Sequence, residues 1–254
     1  MNRKEDYIAV FDSGVGGISV LRQLKKQMPN ERYLYFGDSA NAPYGSRPTQ
    51  QIRELALQAA EYLVRQGIKA LVVACNTATA AAIETLRQRY PDLIVVGIEP
   101  ALKLASSRFP GGCVGVLATP VTLREEKFQH LVETSSNHCQ VIRLPAPGLS
   151  DLVEQGKANS VESEALLLPL LSPWAGKMDA LVLGCTHYPF ASETIARIMG
   201  DTTALLDGGE GTARETMRRL TEADLLYDGP GSIRWENSLH SPQINALSLK
   251  LMEE

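Results

Sequence analysis

The sequence predicts an α/β protein of two similar three-layer α/β domains, each with a mostly parallel sheet, related by a pseudo-twofold and facing each other across a cleft. Three observations carry this. Short continuous apolar runs alternate with segments of helical periodicity, the grammar of βαβ units whose strands are buried on both faces. The run Ala70–Ala74, followed by Cys75-Asn76-Thr77, is matched by Ala180–Gly184, followed by Cys185-Thr186-His187. Residues 9–13 and 115–119 correspond more loosely and in the same order, each segment ending on a hydroxyl, Ser13 and Thr119.

Along the chain, Ile8–Phe11 reads as a strand closing on Asp12, and Ser13-Gly14-Val15-Gly16-Gly17 as a glycine-rich turn. Ile18, Leu21 and Leu24 then recur at helical spacing until Pro29. A strand is expected at Tyr33–Phe36, a loop through Ala42-Pro43-Tyr44-Gly45, a helix over 49–66, a strand at Ala70–Ala74 and a helix over 79–89. The pattern restarts after Ile98-Glu99-Pro100 with a helix near 101–107, a strand at Cys113–Leu117, a helix over 122–133 and a strand at Gln140–Leu144. Residues 166–171 look helical with a kink or break at Pro169. Then follow a strand at Ala180–Leu183, a short helix at 192–199, a terminal strand at Ala204–Asp207, a helix over 212–220 and a weaker segment at 232–235.

Composition narrows the function classes. A length of 254 residues suffices for one large or two smaller domains with sizeable cores. The net charge of -4, without a Lys/Arg stripe interleaved with aromatics, gives no footprint for nucleic acid. No apolar stretch approaches the ~20 residues that span a bilayer. The polar start and the brief run Tyr7–Phe11 do not form a signal peptide, so cytoplasmic residence is expected. The four cysteines lack the close spacing of a zinc knuckle, and a chain this long needs no disulfide staples. Reduced thiols are expected.

In parallel α/β sheets, ligands gather beyond the carboxyl ends of strands, where helix N-termini also point. Asp12, Ser13, Cys75, Asn76, Thr77, Thr119, Cys185, Thr186 and His187 all fall there. A nearby helix start, marked after Cys185 by Pro189, favours thiolate over thiol. Cys75 and Cys185 are therefore acid/base or nucleophile candidates, against the blander reading of small buried hydrophobes that suits Cys113 and Cys139. A Cys-His-Asp hydrolase would use Cys185, His187 and Asp12 but leaves Cys75 without a role. A dinucleotide fold is disfavoured, since Ser19 stands where G-x-G-x-x-G needs glycine and Asp12 would face the pyrophosphate. Two matched thiols, one from each half, suit a reaction that moves a proton from one face of a carbon to the other.

Asp12-Ser13-Gly14-Val15-Gly16-Gly17, Pro43-Tyr44-Gly45, Cys75-Asn76-Thr77-Ala78 and Gly184-Cys185-Thr186-His187-Tyr188-Pro189 together resemble the cofactor-independent aspartate/glutamate racemase superfamily, and within it the glutamate branch. The resemblance implies interconversion of L- and D-glutamate without any cofactor or metal, supplying D-glutamate for peptidoglycan. It makes Cys185 the base toward L-glutamate and Cys75 the base toward D-glutamate, assisted by His187 and Asp12 respectively, with Glu154 the acidic partner near the second cysteine. Substrate contacts carry over to Ser13, Pro43, Tyr44, Gly45, Asn76, Thr77, Thr119, Thr122 and Thr186, although Thr119 and Thr122 equally suit helix capping. It also implies a first domain of residues 1–98 plus the returning segment 209–254, a second domain of 99–208, and a possible homodimer. Aspartate is the rival substrate, and a non-catalytic binding protein on the same fold the rival class. Asp207-Gly208-Gly209-Glu210 departs from the Asp-Ser that the family commonly has there.

Overall fold

The computed structural model describes residues 3–136 and 138–253; residues 1, 2, 137 and 254, both ends of the expected first domain among them, lie outside the described residues. The elements are β1 (Tyr7–Asp12), α1 (Ile18–Gln27), β2 (Arg32–Gly37), α2 (Thr49–Arg65), β3 (Ile68–Val73), α3 (Asn76–Arg89), β4 (Ile94–Gly97) and α4 (Leu102–Arg108). There follow β5 (Cys113–Ala118), α5 (Pro120–Arg124), α6 (Glu126–Ser136), β6 (Gln140–Pro145), α7 (Leu149–Glu154), α8 (Val161–Leu171), β7 (Ala180–Leu183), α9 (Ser192–Met199) and β8 (Ala204–Asp207). The chain closes with α10 (Gly209–Glu222), β9 (Ser232–Asn237) and α11 (Pro242–Glu253).

Two parallel sheets result, ordered β4-β3-β1-β2-β9 and β6-β5-β7-β8. Reversing the second gives β8-β7-β5-β6, the order of the first four strands of the first with β5 in the place of β1 and β7 in that of β3. The correspondence of the two cysteine strands is thus topological as well as sequential. Burial on both faces explains their composition: in β1, Ile8 and Val10 join one apolar layer while Ala9 and Phe11 join the opposite one. The second sheet is likewise covered twice, with Leu181 and Leu183 on one side and Ala180 and Val182 on the other. After β8 the chain returns to the first sheet, where α10 packs on α1 and β9 pairs in parallel with β2.

Several boundaries differ from expectation. The edge strand β4 and the helices α7 and α11 were not read from the sequence. Helix α3 begins at Asn76 rather than Thr79, because Cys75 itself caps it. The helix expected over 122–133 is two, separated at Glu125, whose ψ of 141° is extended. Pro169 does not break α8, which runs to Leu171. Beyond β7 the chain forms a 3-10 turn, Tyr188–Ala191, before α9, so no α-helix begins beside Cys185.

Candidate active site

The site lies where the carboxyl ends of β1 and β3 meet those of β5 and β7. All the site residues expected from sequence except Asp12 and Thr122 line one cavity between the two sheets. Those two stand behind it. Asp12 accepts a hydrogen bond from Thr186 Oγ1 at 2.9 Å, and Thr122 joins a hydroxyl cluster with Thr119 (2.9 Å) and Thr77 (3.3 Å). Thr119 both faces the cavity and caps α5, accepting from the Thr122 amide at 3.2 Å, so capping leaves it at the cavity wall.

The two thiols have unlike surroundings. Cys75 Sγ accepts from the Ala78 amide at 3.3 Å and lies 3.4 Å from Ser13 Oγ. The helix start was expected to favour its thiolate; instead burial, reinforced by the neighbouring Asp12, pushes the thiol up to about 12. Two hydrogen bonds do not offset that desolvation. Asp12 is itself raised by burial, against the opposing pull of His187, and its other oxygen accepts from the Gly14 amide at 2.9 Å.

Cys185 Sγ lies 3.6 Å from His187 Nδ1, and His187 Nε2 donates to Glu154 Oε1 at 2.7 Å. Burial opposes a charge on His187, yet these hydrogen bonds and charges outweigh it and hold the imidazole well above its usual value. Protonated, the ring has donors on both nitrogens, matching both neighbours. Glu154 is fixed in turn by the Val15 amide at 2.6 Å and by Ser39 Oγ at 3.4 Å. Tyr44 enters the cavity wall with its hydroxyl donating to Asp38 at 2.7 Å.

The glycine turn after β1 is there for close approach. A Cβ on Gly14 would stand 1.9 Å from Glu154 Oε1, and one on Gly16 would stand 2.4 Å from His187 Nδ1. Gly45 meets Thr119 in the same way, at 2.9 Å. Ser19 ties the two sides further, donating between the Gly16 and Thr186 carbonyls at 2.9 Å each. The cavity is about 20 Å³, room for roughly one water molecule, so an amino-acid substrate requires the two sides to part.

Ala42, Ser150 and Asp151 also line the cavity and were missed from sequence. For Asp151 a signal existed, since Asp151 and Glu154 are three apart and share a helix face, but the helix α7 that gives the spacing meaning was not recognised. Among the described residues no group of three or more His, Cys, Asp or Glu is placed to hold a metal ion, and all four cysteines are free. No helix is long and apolar enough to cross a membrane among these residues.

Comparison with known proteins fits this geometry. The pattern of the Asp/Glu/hydantoin racemase family matches residues 15–216. A glutamate racemase from Clostridium perfringens is 45% identical over 249 residues, covering 97% of this chain and 96% of its own. Among solved structures, a glutamate racemase isoform from Bacillus anthracis superposes with a TM-score of 0.88 at 28% identity, covering 99% of this chain and 95% of that one. The Francisella tularensis glutamate racemase in complex with D-glutamate gives a TM-score of 0.85 at 28% identity, with the same coverage. The chain belongs to the Asp/Glu/hydantoin racemase family.

Proposed function

We propose that this isomerase interconverts L- and D-glutamate by two-base proton transfer at Cα, without a cofactor, and so supplies D-glutamate for peptidoglycan. The observation that carries the reading is that thiols from equivalent strands of the two sheets line one cavity, each with its own acid/base neighbour.

In the L-to-D direction Cys185 removes the Cα proton, and Cys75, a thiol in this environment, delivers its proton to the opposite face. The reverse reaction exchanges the roles. His187 and Glu154 serve Cys185, and Asp12 and Ser13 serve Cys75. The substrate carboxylates are held by hydroxyls and amides of Ser13, Tyr44, Gly45, Asn76, Thr77, Thr119 and Thr186, with Thr122 positioning the Thr119 and Thr77 hydroxyls from behind and Pro43 shaping the loop. Converging N–H groups at the start of α3 stabilise the carbanionic transition state without reorganising. The two lobes are residues 1–98 with 209–254 and residues 99–208. Their parting admits substrate, and their closure excludes water from the carbanion.

Circular dichroism of L-glutamate and L-aspartate incubated separately with the protein tests the substrate. Loss of optical activity with glutamate is expected; loss with aspartate alone would reject the glutamate assignment.

A further inference from the structure

Glu154 meets His187 through one oxygen and Ser39 through the other, and the Ser39 hydroxyl ends a chain of hydrogen bonds that starts in the C-terminal segment. The direction of this chain is fixed at every link. The Leu239 amide can only donate, so the Asn237 side-chain atom 2.9 Å from it is the carbonyl oxygen. The Asn237 side-chain nitrogen is left to donate to Ser39 Oγ, also at 2.9 Å. Ser39 accepts there, so its single proton goes to Glu154 Oε2 at 3.4 Å. With the Val15 amide donating to Oε1, Glu154 is an acceptor on both sides, and His187 Nε2, 2.7 Å away, supplies the third donor. Donors running inward from the Leu239 and Val15 amides therefore fix which face of the imidazole turns to Glu154 and which to Cys185.

The fold makes room for this reach. Asn237 is buried at the end of β9 opposite Gly37 of β2, where a Cβ on the glycine would stand 2.8 Å from the Asn237 side-chain nitrogen. The next residue ties the same two segments, since the Ser238 amide donates to the Gly37 carbonyl at 2.9 Å and its hydroxyl accepts from the Ala40 amide at 3.0 Å. We propose that Asn237, which lies outside the cavity lining, is a positioning residue for the reaction and acts through Ser39 and Glu154 to orient His187 toward Cys185. This rests on the racemase reading and deepens it: the segment that completes the first sheet also completes the hydrogen-bond chain behind one thiol.

Two substitutions separate this role from a structural one, because they rank oppositely. N237D still accepts from the Leu239 amide and keeps the turn, but it offers Ser39 an acceptor and draws the hydroxyl proton away from Glu154. N237A loses the turn contact yet leaves Ser39 free to donate to Glu154. Racemisation of both glutamate enantiomers, followed by circular dichroism, is compared with thermal denaturation. In N237D, kcat is expected to fall about tenfold with KM changed less than about twofold, the scale of one hydrogen bond to a charged group. N237A is expected to lose less activity than N237D but more Tm. In an S39A background the N237D loss should disappear, whereas an effect of the added charge alone would persist there. A larger kcat loss in N237A than in N237D, an N237D loss of equal size with and without the Ser39 hydroxyl, or N237D failing to fold where N237A folds would overturn the assignment. Failure of the underlying racemase reading shows separately, as unsubstituted protein that leaves glutamate's optical activity unchanged.

Discussion

Cys75 and Cys185 occupy equivalent strand ends yet answer to different neighbours. Burial and Asp12 keep Cys75 a thiol, whereas Cys185 faces an imidazole that Glu154 and the sulfur itself push toward its protonated form. Because the two enantiomers are equally stable, kcat/KM must be equal in both directions at every pH. E154Q is expected to lower both values by the same factor, roughly 10²-fold, the scale of an acid/base contribution. It removes one of the groups that raise His187, so the imidazole loses its proton at lower pH and the alkaline limb of kcat/KM moves toward acid; a pH profile in which that limb stays in place would contradict the role. The positions of both thiols, His187 and Glu154 were legible in the sequence because chemistry-bearing residues followed apolar runs or matched a motif. The upward shift at Cys75 was not, since a helix start suggests the opposite and the fully enclosed Asp12 beside it exists only in the fold.

Short elements decide how closely the two sides approach. The turn between β1 and α1 has no room for side chains at Gly14 and Gly16, whose Cβ positions fall on Glu154 and His187. G16A is expected to hold the cleft ajar and to reduce kcat/KM on the order of 10²-fold, as an ångström-scale misplacement does. Thermal denaturation should fall by no more than about 5 °C, because the clash lies in the cleft rather than in either core. A Tm collapse without a change in kcat/KM at low temperature would show the glycine to be structural. The long, strongly periodic helices and buried strands were readable from pattern. Helix α7 was not: it has six residues and follows Gly148 at a φ of 88°, too short a stretch for periodicity to register. With it went Ser150 and Asp151, two of the three cavity residues that sequence reasoning lacked.

The molecule as a whole is two sheets of equivalent strand order joined so that its C-terminal segment completes the first. A fully buried ion pair anchors that return. Lys69 on β3 donates to Glu31 at 2.7 Å and to the carbonyls of Lys4 and Leu225, while Glu31 accepts from the Tyr227 amide at 2.9 Å. A lysine inside an apolar run looks like a strand boundary, which is why the sequence reading began this strand at Ala70. K69M is expected to cost about 3–5 kcal/mol in denaturant unfolding by stranding Glu31, and E31L/K69M to regain most of it; a K69M loss below ~1 kcal/mol would show the pair to be dispensable. The equivalence of the two halves was visible in the paired cysteine motifs, whereas the pairing of β9 with β2 was not, because residues 232–237 are mixed in polarity and only half-buried. The central claim is that the two halves deliver opposed thiols to one carbon, and it is tested most directly by Cα-proton exchange in heavy water. C75S and C185S should each lose racemisation by ~10²-fold or more. C75S should still introduce deuterium into L-glutamate alone, and C185S into D-glutamate alone. Near-normal racemisation in either variant, or exchange of the same enantiomer by both, would contradict it.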